Sequence, residues 1–233
     1  RLGRPAAGGA KGDGGKISVG LKPLTEMTAS DRYKGEDGGL YGAVRFWQAA
    51  KEHGIRPIVG AEVALDGLGH LTLLAESRQG YANLCRLLSA GQLAGQKGRP
   101  RLTLDALAQH AGGLVGLSGC RQGVAARALQ SGGEAQALEV SVRLGEALGR
   151  DHFWIEVQRH LLPGEGRLEA RLAALAERLG TGLVATNNVH YAARAGQRLH
   201  DILTCIRHLT TLPEALAAGL LHPNSEQCLK SPR

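Results

Sequence analysis

Short apolar runs alternate with amphipathic stretches along most of this 233-residue chain, and that alternation limits the folds open to it. "IRPIVGAEVAL" (55–65), "HLTLLA" (70–75), "GLVGLSGC" (113–120), "FWIEVQRH" (153–160) and "GLVATNN" (182–188) read as strands. Between them, 40–54, 80–95, 104–111, 133–149 and 166–180 carry helical spacing of apolar residues. Leu40, Val44, Trp47 and Ala50 share one face, and Leu84, Leu87 and Leu88 another. Thr103 is placed to cap 104–111, and Gly54 to stop the first helix. The C-terminal part returns to helix at 198–208 and 212–220. Strands that alternate with helices predict a parallel sheet, and enough such units predict a barrel. About five units are countable, fewer than a closed eightfold barrel needs, so the sheet is open or the barrel incomplete.

Residues 1–38 are dense in glycine and lack a sustained apolar period. Such a segment cannot bury enough surface to offset its ordering entropy, which predicts poor order. No apolar run approaches about 18 residues, so no membrane span is expected. Cys85, Cys120, Cys205 and Cys228 are scattered without a C-x-x-C pair, which fits a reducing cytoplasm. The net charge of +7 favours polyanionic partners, while an aromatic fraction of 3% argues against a base-stacking platform.

In a parallel α/β barrel, functional groups sit after the C-terminal ends of strands. Glu62 interrupts the apolar run "IVGAEVAL", and Cys120 follows "GLVGLSG". Gln158, Arg159 and His160 follow "FWIEV"; Thr186, Asn187, Asn188 and His190 end what reads as a buried strand. His70 opens its strand and is placed more loosely. Imidazole, carboxylate and thiolate together make a divalent-metal ligand set. Taken singly, each has a structural reading. Cys120 can be a small buried hydrophobe, His70 a strand-end histidine with a backbone partner, and Glu62 a partner of Arg56. "GGAKGDGGK" lacks the G-K-[ST] ending of a phosphate loop, and "GLSGC" is no G-x-S-x-G elbow. Asp105, Glu165 and Glu169 read as solvated helix residues. No catalytic residue is assigned.

Six segments in order carry a resemblance: "GLYGAVRFWQAAKEHGIRPIVGAEV", "GHLTLLAESRQGYANLCRLLS", "GGLVGLSGC", "FWIEVQRH", "VATNNVHY" and "LHDILTCIRHLTTL". Over about residues 39 to 232 the chain resembles the polymerase-and-histidinol-phosphatase (PHP) domain of bacterial C-family DNA polymerases, the DNA polymerase III alpha subunits. "FWIEVQRHLLPGEGRL" and the short link from Glu62 to His70 place it nearest the error-prone branch. The resemblance implies a PHP-type distorted (β/α)7 barrel of TIM type, here lacking its first strand or two. It implies a PHP domain over 39–210 after a non-family segment 1–38, with 211–233 a linker towards a polymerase palm.

Carried over by motif, Glu62, His70, Cys120 and His190 match metal ligands, and Asn188 stands where the metal-binding branch has aspartate. Residues 1–38 contain no histidine, so the family's opening H-x-H is absent, as is the aspartate–histidine pair before "GLYG". The resemblance therefore implies a degenerate rim that could hold a zinc or manganese ion but requires none. The parent family is a nucleotidyltransferase acting in DNA replication and damage-induced translesion synthesis; its partners are DNA and other replication or translesion proteins. This stretch alone is expected to be inactive. A truncated or frame-shifted gene start and genuine divergence both fit residues 1–38. The competing readings are a stand-alone PHP-type metal-dependent phosphoesterase and a non-catalytic basic interaction module.

Overall fold

The computed structural model describes residues 17–18, 40, 42–96 and 99–230. Apart from the backbone of Ile17–Ser18, the expectation for residues 1–38 lies outside the described residues.

In chain order the elements are β1 (Ile17–Ser18), α1 (Ala43–Glu52), β2 (Arg56–Pro57), β3 (Gly60–Leu65) and β4 (Gly69–Ala75). They continue with α2 (Arg78–Ala94), α3 (Leu104–His110), β5 (Leu114–Leu117), α4 (Val124–Ser131) and α5 (Gly133–Leu148). The last are β6 (Phe153–Gln158), α6 (Glu165–Leu179), β7 (Leu183–Thr186), α7 (Gln197–His208) and α8 (Leu212–Ala217). β1 and β2 form a parallel pair, and β3-β4-β5-β6-β7 form a five-stranded sheet in sequence order. This mixed α/β architecture is that of a PHP-type barrel fragment, as the resemblance implied.

One expectation is corrected. The sheet is not parallel throughout, because β4 runs antiparallel to both β3 and β5. The reason is the length of the connection: Asp66, Gly67 and Leu68 alone join β3 to β4, whereas a parallel crossover needs a dozen or more residues. Gly67 (φ +74°) and Gly69 (φ +120°) supply the left-handed backbone of this hairpin turn. β5, β6 and β7 are parallel, joined by α4–α5 and by α6.

Strand register divides the side chains between two faces. Ala61, Val63, Leu65, Leu71, Leu73, Leu114, Phe153 and Ile155 pack with Leu84, Leu87, Leu107, Leu144, Leu172 and Leu175 of the helices in the main core. Each such leucine contributes about 1.5–3 kcal/mol relative to exposure. The opposite face holds a smaller apolar layer of Leu74, Val115 and Leu117, with Trp154 and Val184 against it. β4 is therefore buried on both faces.

The caps agree with the reading of the sequence: Thr103 Oγ1 accepts from Ala106 N at 3.2 Å. Two faces do not. Val44 and Trp47 are exposed on α1 although Ala50 is buried. β7 is an edge strand of the five, with Leu183 exposed, rather than a buried strand. Helix α4 was not foreseen; it is a short alanine-rich segment, buried at five of its eight positions, with a polar face of only Arg127, Gln130 and Ser131.

Candidate metal centre

Four strands of the five-stranded sheet run one way and β4 runs the other, so the start of β4 lies with the C-terminal ends of its neighbours. That places His70, first in its apolar run, at the rim after all. Register also puts Glu62, His70, Thr72, Glu156, Gln158 and Thr186 on one face, above the layer of Leu74, Val115 and Leu117.

His70 is buried, and its Nδ1 donates to Glu62 Oε1 at 3.0 Å. Glu62 thus pairs with His70. A carboxylate on one ring nitrogen is the usual way a ligating histidine is oriented. Cys120 follows β5 in the turn that β-bridges Gly123 to His70, and its Sγ accepts from Gln122 N at 3.4 Å. Burial pushes the Cys120 thiol up, and the carboxylates of Glu62 and Glu156 push it further.

Glu156 is the rim residue that the sequence reading passed over. It is buried, its Oε1 accepts from Gln158 Nε2 at 2.9 Å and from Thr186 Oγ1, and its Oε2 has no hydrogen-bond partner. Burial raises its pKa above the ordinary carboxylate range, against the lowering effect of the Thr186 and Gln158 hydrogen bonds. Glu62, Cys120 and Glu156 are near enough to act on one another electrostatically, but among the described residues these rim donors do not form a group of three or more within 4.8 Å of one another, so the rim as it stands offers no ready metal cradle. Cys120, Arg121, Glu156, Gln158, Glu165 and Glu169 line a small pocket beside it.

One further acid is corrected. Glu165 is buried rather than solvated: its Oε2 accepts from His160 N at 2.9 Å and Leu162 N at 2.8 Å, closing the loop after β6. Glu169 accepts from Arg159 Nε at 2.9 Å, and that guanidinium lowers its pKa. Asp105 is exposed in the first turn of α3, as expected.

The residues after β7 have other partners. Asn187 Nδ2 donates to the carbonyls of Glu226 (2.8 Å) and Cys228 (2.7 Å), and its own carbonyl accepts from His160 Nε2 at 3.0 Å. Asn188 sits at φ +39°, in the left-handed region that asparagine tolerates better than most residues. His190 N donates to Gln227 O at 2.9 Å. The segment after α8 is therefore a strap stitched onto this loop. The imidazole of His190 meets His200 of α7, ring centroids 5.2 Å apart, and His222 of the strap at 4.6 Å. His200 and His222 stack at 4.5 Å. The ligand atoms of these three histidines lie within 4.8 Å of one another, the one such group of three or more among the described residues. Burial, then the neighbouring His200 and His160, lowers the His222 pKa to about 4.

The mixed sheet, with polar side chains gathered at one rim above an apolar layer, defines the class: an α/β barrel-type domain. The PHP domain family matches residues 24–160, more than half of the sequence, and the chain belongs to that family. Asn188 and His190 lie beyond that matched span. The chain is 40% identical over 218 residues to the error-prone DNA polymerase of Symbiobacterium thermophilum, covering 84% of this chain and 19% of the relative. It is 42% identical over 205 residues to that of Mycolicibacterium paratuberculosis, covering 83% and 19%. It is 37% identical over 218 residues to DNA polymerase III subunit alpha of Thermus aquaticus, covering 85% and 18%. The chain thus spans about a fifth of the length of these relatives. Among the described residues no helix is long and apolar enough to cross a membrane.

Proposed function

We propose that this chain is the PHP portion of a bacterial error-prone DNA polymerase, serving DNA replication and damage-induced translesion synthesis in the cytoplasm. The observation that carries the reading is 40% identity over 84% of the chain to an error-prone DNA polymerase. DNA and other replication or translesion proteins are its partners through the longer protein, and the net charge of +7 suits that setting. Leu199, Ile202 and Ile206 of α7 and Leu212 and Leu216 of α8 are exposed apolar residues that further polymerase chain would cover.

The rim is degenerate. Glu62, His70, Cys120 and Glu156 offer no ready cradle and would hold at most one zinc or manganese ion, whose chemistry would be Lewis-acid polarisation of a phosphate oxygen. Asn188 sits in the left-handed backbone region, and His190 packs against His200 and His222. A water-activating cluster is left short of ligands.

The test is incubation of the purified chain with 3′-recessed DNA and a chromogenic phosphoester, with zinc or manganese. No turnover is expected, whereas the polymerase containing this chain extends a primer past a lesion. Metal-dependent exonuclease or phosphoesterase turnover that His190→Ala abolishes would overturn the degenerate rim in favour of a stand-alone phosphoesterase.

A further inference from the structure

We propose that His190, His200 and His222 form a three-imidazole site for one zinc ion, which fastens the loop after β7 and helix α7 to the C-terminal strap. His200 and His222 occupy none of the motif positions that mark the rim, and the site stands apart from the polymerase reading.

Three chain segments deliver the three rings: the loop after β7, the first turn and a half of α7, and the strap beyond α8. Their ligand atoms already lie within 4.8 Å. Zinc–nitrogen bonds of about 2.0–2.1 Å in tetrahedral geometry put ligand nitrogens roughly 3.3 Å apart, so small ring movements close the site. His200 is buried, and His222 Nδ1 is a buried nitrogen without a hydrogen-bond partner. Asp201 supplies a carboxylate: its Oδ1 is buried without a hydrogen-bond partner, 3.9 Å from His200 Nδ1. A carboxylate behind a histidine raises its basicity and fixes its orientation towards a metal. Three imidazole nitrogens without thiolate suit zinc, and a solvent molecule would complete the tetrahedron at the partly exposed His190 and His222.

The experiment uses the full 233-residue chain, stripped with chelator and reloaded with zinc or cobalt(II). Metal is counted by plasma mass spectrometry, and the cobalt form is read by its visible spectrum. One equivalent with a tetrahedral cobalt spectrum lacking thiolate charge transfer is expected. His222→Gln should weaken it at least about 10-fold and Asp201→Asn about 10- to 100-fold, while Cys120→Ser and Glu62→Gln leave it in place. X-ray absorption is read on the zinc-loaded Cys120→Ser chain, whose rim offers no thiolate, and should show three imidazoles around the zinc. Absence of bound metal in both the wild type and Cys120→Ser, retention of all bound metal in a well-folded chain carrying Cys120→Ser and His222→Gln, or fewer than two imidazoles in the zinc shell would each overturn the proposal.

Discussion

His70 and Glu62 hold each other across the β3–β4 hairpin, Nδ1 to Oε1 at 3.0 Å, with the histidine buried and the glutamate partly open. Removing the acceptor leaves the buried ring nitrogen without this partner, at a cost of about 1–3 kcal/mol. Glu62→Ala should therefore lower unfolding stability in urea by that amount. Glu62→Gln, whose amide oxygen still accepts, should lose less. Equal losses in the two variants would show that this contact does not hold the hairpin.

The Glu156 carboxyl, pushed up by burial, gives a pH-dependent prediction. Its folded pKa lies above its unfolded value, so the charged form is the one the fold disfavours. Stability from the neutral form is present at low pH and is lost as pH rises through the folded pKa. Glu156→Gln keeps an acceptor for Thr186 and Gln158 and places an amide where Oε2 has no partner. Thermal unfolding in metal-free buffer should show the variant close to wild type near pH 4 and increasingly more stable towards pH 8. A gap that narrows with pH would contradict the assignment.

Two helix glycines should respond with opposite sign to alanine. A Cβ on Gly80 of α2 would lie 1.9 Å from the carbonyl oxygen of Gly113, so the helix or the β5 turn must move. Gly80→Ala should destabilise by roughly 1–3 kcal/mol or more. At Gly145, inside α5, a Cβ meets nothing within 4 Å. Gly145→Ala should stabilise by about 0.5–1 kcal/mol. Chemical denaturation of both reads the pair directly.

Asn187→Ala removes both side-chain donors to the strap, at 2.8 and 2.7 Å from the Glu226 and Cys228 carbonyls. Hydrogen-exchange protection of the His190 and Leu229 amides should fall, at a cost of about 1–3 kcal/mol, while β3–β6 stays protected. A uniform loss across the sheet would instead mean that the strap is part of one cooperative unit.

What the sequence disclosed was whatever is local. The alternation of elements and the Thr103 cap depend on neighbours a few residues away, so both could be read directly. The antiparallel hairpin was equally local: Asp66-Gly67 between two apolar runs is a hairpin signal, outweighed by the expectation of a parallel sheet. Glu156 interrupts "FWIEV" as Glu62 interrupts "IVGAEV", so the same reasoning would have found it. His200 and His222 carry no such mark. They lie on different elements, and only the return of the strap to the loop after β7 brings them to His190.

That return has a consequence in time. Ribosomes add roughly 5–20 residues per second, so the two halves of the β3–β4 hairpin emerge almost together. The strap residues that receive Asn187 and His190 follow on the order of seconds later. During that interval a nascent chain holds a nearly complete sheet beside an unlatched loop, with neither its backbone stitches nor its third imidazole. A chaperone, a protease or a metal ion arriving then meets that loop open; the finished chain presents it closed.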